Sequence, residues 1–271
     1  VNVCLRHPWK TNFRGNLRLH LLFTLYIVSV WIHHEHFQIH HMNPAWFIPA
    51  VGNVLVPIAG VSLGYVDVSW FFFSIGILFW LILLVIVFNR VLFHHPIESH
   101  LMPTLFILIA PPAVGFIAYL KLVGELDSFG RILYFAGLFL TLLLFTQIRR
   151  FLGLRFFLSW WAYSFPLAAI GIASLTLFAQ TDQAFYLQLG TGLITLLSGV
   201  VVVLLTQTAM AIGRRAICVA EHAPATAPAS HPPVNPPSGR VIRWLIVAAL
   251  VLTFAAGVWM AMRFAPQIAS M

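Results

Sequence analysis

The chain has 271 residues, 61% of them hydrophobic and only 8% charged, where a soluble globular chain carries roughly 25% charged residues. Water-soluble classes are excluded, and a mean hydropathy of +0.93 is that of an integral membrane protein. The formal charge of +8 comes from short basic clusters between apolar runs, which orient helices in a lipid bilayer and do not signal nucleic acid.

A bilayer core about 30 Å thick takes about 20 apolar residues of helix. Residues 1–18, with Arg6, Lys10, Arg14 and Arg18, form an atypical N-terminal segment. The apolar run at 19–32 is short, is preceded by Arg18 and ends at His33. It reads as the second half of a cut helix, so the chain is expected to be N-terminally truncated. Full-length apolar runs follow at about 44–66, 69–89, 102–120, 131–148, 156–179, 185–212 and 244–262. These runs are too long for barrel strands, and lipid cannot satisfy an open sheet edge. The expected fold class is an all-α integral membrane bundle of helical hairpins.

The loops near 33–43, 90–100, 149–155 and 213–243 carry Arg90, Arg149, Arg150, Arg155, Arg214, Arg215, Arg240 and Arg243. The intervening loops hold Asp67, Asp182 and the mixed group Lys121, Glu125, Asp127 and Arg131. The positive-inside rule places the first set in the cytoplasm of a multi-pass protein; residues 1–18 alone disobey. After a transmembrane domain at 19–221 comes a Pro/Ala-rich linker at 222–239, then a segment at 240–271 with an extra C-terminal transmembrane helix. Trp244 and Trp259 are interfacial anchors of that helix, with Arg243 and Arg263 beside them. Cys4 and Cys218 have no paired spacing, and neither a disulfide framework nor a thiolate site is expected.

Histidine is concentrated at His33, His34, His36, His40 and His41 around Glu35, and again at His94, His95 and His100. Imidazole and carboxylate together suit iron or zinc, and His36, His40 and His41 resemble one histidine box of the membrane di-iron desaturases and hydroxylases. The second group is too sparse for such a site. The expected reading is a solvated collar at the membrane surface, with no metal, no cofactor and no enzymatic activity.

Proline and glycine break alternate spans. The span at 44–66 holds Pro49, Gly52, Asn53, Pro57 and Gly60; that at 102–120 holds Pro103, Pro111, Pro112 and Gly115; that at 156–179 holds Ser164, Pro166 and Gly171. The other three bundle spans contain no proline. Proline in a helix interior removes a hydrogen bond and bends the axis, and broken backbone at membrane depth is tolerated where it is buried in protein or lines a cavity. Kinked helices are therefore expected inside and straight ones against lipid. The kinked spans contain no Asp, Glu, Lys, Arg or His. Their hydroxyls, such as Ser62, Thr104, Ser164 and Ser174, and their bent backbone suit an ion that binds weakly and leaves quickly. The basic cytoplasmic margin favours anions.

Three motifs carry a family resemblance: NPAWFIPAVGNVLVPIAG (Asn43–Gly60), PTLFILIAPPAVGF (Pro103–Phe116) and SWWAYSFPLA (Ser159–Ala168), with RRAICVAE (Arg214–Glu221) after them. Together they resemble the tellurite-resistance/dicarboxylate transporter (TDT) family. It includes TehA-type proteins, malate permeases, sulfite exporters and plant slow-type anion channels. The resemblance implies ten helices in five hairpins around a central pore, of which about seven are here, plus one extra C-terminal helix. It also implies homotrimers, and a pore plugged by a phenylalanine at the position of Phe165. Pro49, Gly52, Asn53, Pro57, Gly60, Pro111, Pro112, Gly115, Ser164 and Pro166 would be the pore-lining or kink residues, with close helix packing an equal alternative for the glycines. The expected function is passive movement of small anions of the sulfite, tellurite, chloride/nitrate or C4-dicarboxylate class across a bacterial inner membrane. The alternatives are the di-iron enzyme and a non-functional truncated transporter.

Overall fold

The computed structural model describes residues 8–33, 39–94 and 96–214; the linker and last helix expected at 222–239 and 244–262, and Cys4 and Cys218, lie outside them. Helix α1 runs from Pro8 to His33, 26 residues. This corrects the reading of a half-length helix beginning at residue 19, because the boundary after residue 18 falls inside α1. Helical backbone satisfies its own hydrogen bonds whatever the side chains, and Arg14 has a partner that spacing does not reveal. Its Nε donates to the Tyr65 hydroxyl at 2.7 Å, and the guanidinium lies 5.1 Å from the centre of that ring.

Three hairpins follow, each pairing a broken segment with a continuous helix. The first broken segment, Pro44–Gly60, passes from a 3-10 turn at Pro44–Trp46 into α2 (Phe47–Val51). A second 3-10 stretch at Gly52–Leu55 then leads into α3 (Val56–Gly60). The second segment, Met102–Val123, is 3-10 over Met102–Ile109 and then α5 (Ala110–Val123). The third, Leu158–Thr181, is 3-10 over Leu158–Tyr163 and then α8 (Ser164–Thr181). Pro111, Pro112 and Pro166 sit in the first turns of α5 and α8, where a missing N–H costs least. The continuous partners are α4 (Val66–Phe93), α6 (Ser128–Thr146), which is followed by the short α7 (Ile148–Leu152), and α9 (Ala184–Gly213). The proline alternation is thus an alternation of interrupted and uninterrupted helix.

Within each hairpin the turn uses one left-handed residue: Gly64 (φ +83°), Gly124 (φ +88°) and Asp182 (φ +54°). Aspartate tolerates this region better than most side chains do. The two arms then touch through glycines. Gly60 packs on Ser69 and Gly76 on Val54 in the first hairpin. Gly115 faces Leu133 and Gly137 faces the Ala113 backbone in the second; Gly171 faces Ile194 and Gly190 faces Leu175 in the third. Small residues permit close backbone approach in lipid, where helix association depends on packing.

The interrupted segments are the inner ones. In the 18-residue apolar stretch of each helix, about 67% is buried in Met102–Val123 and 50% in Leu158–Thr181, against 33%, 39% and 22% in α4, α6 and α9, and 6% in α1. Among the described residues, six helices are long and apolar enough to cross a membrane, and Pro44–Gly60 is a shorter apolar one. Inside, Tyr134 of α6 is fully buried, and its hydroxyl shares a 3.0 Å hydrogen bond with Ser174 Oγ of α8.

Candidate functional site

The first halves of the three broken segments line an open cavity of about 660 Å³. Ile48, Gly52 and Leu55 come from the first segment, Ile107, Pro111 and Val114 from the second, and Ser159, Ala162 and Phe165 from the third. Spacings of three and four residues mean that one face of each segment is presented. The remaining wall is His20 of α1. Phe165 is 52% exposed, with Ile48 at 64% and Leu55 at 43%, so large apolar side chains project into open space. The wall hydroxyls are already engaged: Thr104 Oγ1 donates to the Leu101 carbonyl at 2.7 Å, and Ser159 Oγ donates to the His100 carbonyl. Such a wall offers a passing ion little to hold it, and a hydrophobic constriction restricts flow by dewetting.

Of the residues singled out from the sequence, Gly52, Pro111, Phe165 and Pro166 border this cavity. Asn53 does not. It is fully buried against α1, donating from Nδ2 to Thr24 Oγ1 at 3.2 Å and to the Ala50 carbonyl at 2.7 Å. One residue along a 3-10 helix is a turn of about 120°, enough to separate it from Gly52. The Pro49 carbonyl accepts from Thr24 Oγ1 at 3.4 Å. Pro57, Gly60, Pro112 and Gly115 are buried, and both glycines pack against neighbouring helices. Ser164 Oγ donates to the Trp161 carbonyl at 2.7 Å. Tyr163 packs on Phe106, ring centres 4.7 Å apart, and borders a separate apolar cavity of about 100 Å³, as its angular offset from Phe165 implies.

His36 and the His40 side chain lie outside the described residues. Among the described residues no three His, Cys, Asp or Glu side chains converge as metal ligands. The sequence reading missed His20. Its signal was an isolated polar pair, His20 and Thr24, four residues apart on one face of an apolar run, hidden because α1 was read as beginning there.

Interrupted helices gathered around an apolar cavity, with continuous helices outside, make a multi-span membrane transport bundle. The chain belongs to the SLAC1 family, described as voltage-dependent anion channel, whose family model matches residues 11–209. That match begins within α1. The chain is similar to the S-type anion channel SLAH2 of Arabidopsis thaliana, 35% identical over 133 residues, covering 49% of this chain and 26% of the relative. It is 33% identical over 181 residues to the tellurite resistance protein TehA homolog of Haemophilus influenzae, covering 64% and 50%. It is 28% identical over 198 residues to the uncharacterized transporter MJ0576 of Methanocaldococcus jannaschii, covering 65% and 57%. The chain therefore spans between 26% and 57% of the length of these relatives.

Proposed function

We propose that this protein is a passive channel or exporter for small anions of the sulfite, tellurite, chloride/nitrate or C4-dicarboxylate class, working as a homotrimer in a bacterial inner membrane. The observation that carries the reading is the position of Phe165. An exposed aromatic ring projects into the cavity from the turn where the 3-10 stretch of the third broken segment becomes α8. A ring held across a narrow bore excludes hydrated ions and clears the path by changing rotamer. The broken segments supply no fixed acid or base to the cavity wall, which favours passive flow over proton-coupled pumping.

The test is anion flux in proteoliposomes, comparing the chain with its Phe165→Ala variant. The expected result is a several-fold rise for small anions and none for potassium. Equal flux from both proteins would overturn the gate, and a rise for cations would overturn the anion reading. The rival di-iron enzyme requires about two iron atoms per chain, and metal analysis of the purified protein tests it.

A further inference from the structure

Among the described residues, His20 is the one ionisable side chain on the cavity wall. Its ring stacks on Phe72, centres 6.0 Å apart, and its Cε1 lies 3.9 Å from where a Cβ on Gly52 would stand. Behind it is a buried polar cluster. Thr24, 3% exposed, donates to the His20 carbonyl at 2.9 Å and accepts from Asn53. Two atoms of this cluster are buried without a hydrogen-bond partner: His20 Nε2 and Asn53 Oδ1. Burial disfavours the charged form of the ring, and the unmet Asn53 oxygen is what offsets it, because a second proton turns both ring nitrogens into donors.

We propose that His20 is the proton-dependent anion-attracting group of the cavity: its imidazolium puts one positive charge on an otherwise uncharged wall, so that acidification raises anion flux. The proposal rests on the anion-channel reading above.

The surroundings contain little that could mask such a charge. Pro44–Gly60 carries no acid or base, and neither do the cavity-lining halves of the second and third segments before Lys121 and after Arg155, apart from the hydroxyls of Tyr119 and Tyr163. On α1 the adjacent charges are Arg14 and Arg18. With Tyr65 and Asp67 they line a neighbouring groove that shares only Phe72 with the His20 ring. Arg90 lies near the far end of α4. A unit charge about 4 Å from an ion raises its local concentration by about fivefold in a water-like medium and by more where the dielectric is lower.

Chloride flux is measured with the full chain in proteoliposomes between pH 5.5 and 8, in the Phe165→Ala background. Flux is expected to rise roughly three- to tenfold on acidification, to stay flat in His20→Gln, and to be high at every pH in His20→Lys. His20→Asn serves if His20→Gln does not fold. An unchanged pH response in the neutral variants overturns the proposal while leaving the channel standing. Absence of anion flux at any pH overturns the channel reading instead. Bromide-dependent thermal stabilisation of the purified protein at pH 5.5 then decides for His20 independently: stabilisation lost in His20→Gln upholds it, and no stabilisation overturns it.

Discussion

Gly76 of α4 lies so close to Val54 that a Cβ on the glycine would stand 2.8 Å from the Val54 backbone nitrogen. Backbone cannot step aside as a flexible side chain can, so this contact sets how closely the first broken segment approaches its partner. Gly76→Val should destabilise the protein by about 1–3 kcal/mol through overpacking, read as a lower midpoint of thermal unfolding in detergent. Gly15→Ala is the control, because nothing lies within 4 Å of that position, and it should melt no lower than the parent.

Asn53 provides a test of face against sequence neighbourhood. Asn53→Ala removes two hydrogen bonds at full burial and should cost about 1–3 kcal/mol. Because its side chain points to α1 and not to the cavity, the order in which different anions permeate should be unchanged. An altered selectivity series in vesicles would place it in the path.

Phe165 and Tyr163 should behave as opposites. If ring size sets the obstruction, flux should increase from Phe165 through Phe165→Leu to Phe165→Ala. Tyr163→Ala should leave flux unopened and lose about 3–5 kcal/mol, as expected for a large side chain removed from a packed aromatic cluster. The Tyr163 hydroxyl is buried without a partner, so Tyr163→Phe should be neutral or stabilise by up to about 1 kcal/mol. Melting curves and vesicle flux on the same preparations separate these outcomes.

The loop before α6 gives the protein an acid-sensitive joint. Asp127 is the N-cap of α6. Its Oδ1 accepts from the Gly130 N–H at 2.8 Å and its Oδ2 from the Tyr119 hydroxyl. These bonds, the backbone one foremost, hold its carboxyl below the usual carboxylate range. A carboxylate with a depressed folded-state pKa contributes stability that is fully present above the unfolded value, about 3.9, and lost as pH falls through the lower folded value. The melting temperature should therefore drop more steeply below about pH 4 in the parent than in Asp127→Asn. Parallel slopes for the two proteins would show that the cap does not titrate as described.

The proline alternation makes the architecture legible in the sequence alone, because a missing N–H acts locally and needs no knowledge of neighbours. The WWAYSFP string likewise places Phe165 at the start of α8. Which side chains face the cavity is harder to read. The broken segments alternate between 3-10 and α geometry, so the angle per residue changes along the chain and a single helical wheel misassigns neighbours such as Gly52 and Asn53. The length of α1 is hidden for another reason. Arg14 meets its partner Tyr65 far along the sequence, and local hydropathy registers only the charge. A repeat does mark the hairpin contacts: Gly60, Gly115 and Gly171 recur at a nearly constant interval, each where the two arms touch.

The 3-10 stretch at Leu158–Tyr163 has a mechanical consequence. A 3-10 helix is wound more tightly than an α-helix and rises about 0.5 Å more per residue. Rewinding these six residues to α geometry would shorten the segment by about 3 Å and rotate α8 by about 120° relative to the Leu158 end. Pro166, one residue beyond Phe165, fixes the backbone torsion there, so the ring would be carried round with the segment as a rigid vane. The direction in which Phe165 points is therefore set by the winding of the preceding turns as well as by its own rotamer. A tension or rotation applied at the Trp160–Trp161 end, where Trp161 Nε1 is tied to Thr208 Oγ1 at 3.1 Å, would be delivered to the ring as an angle.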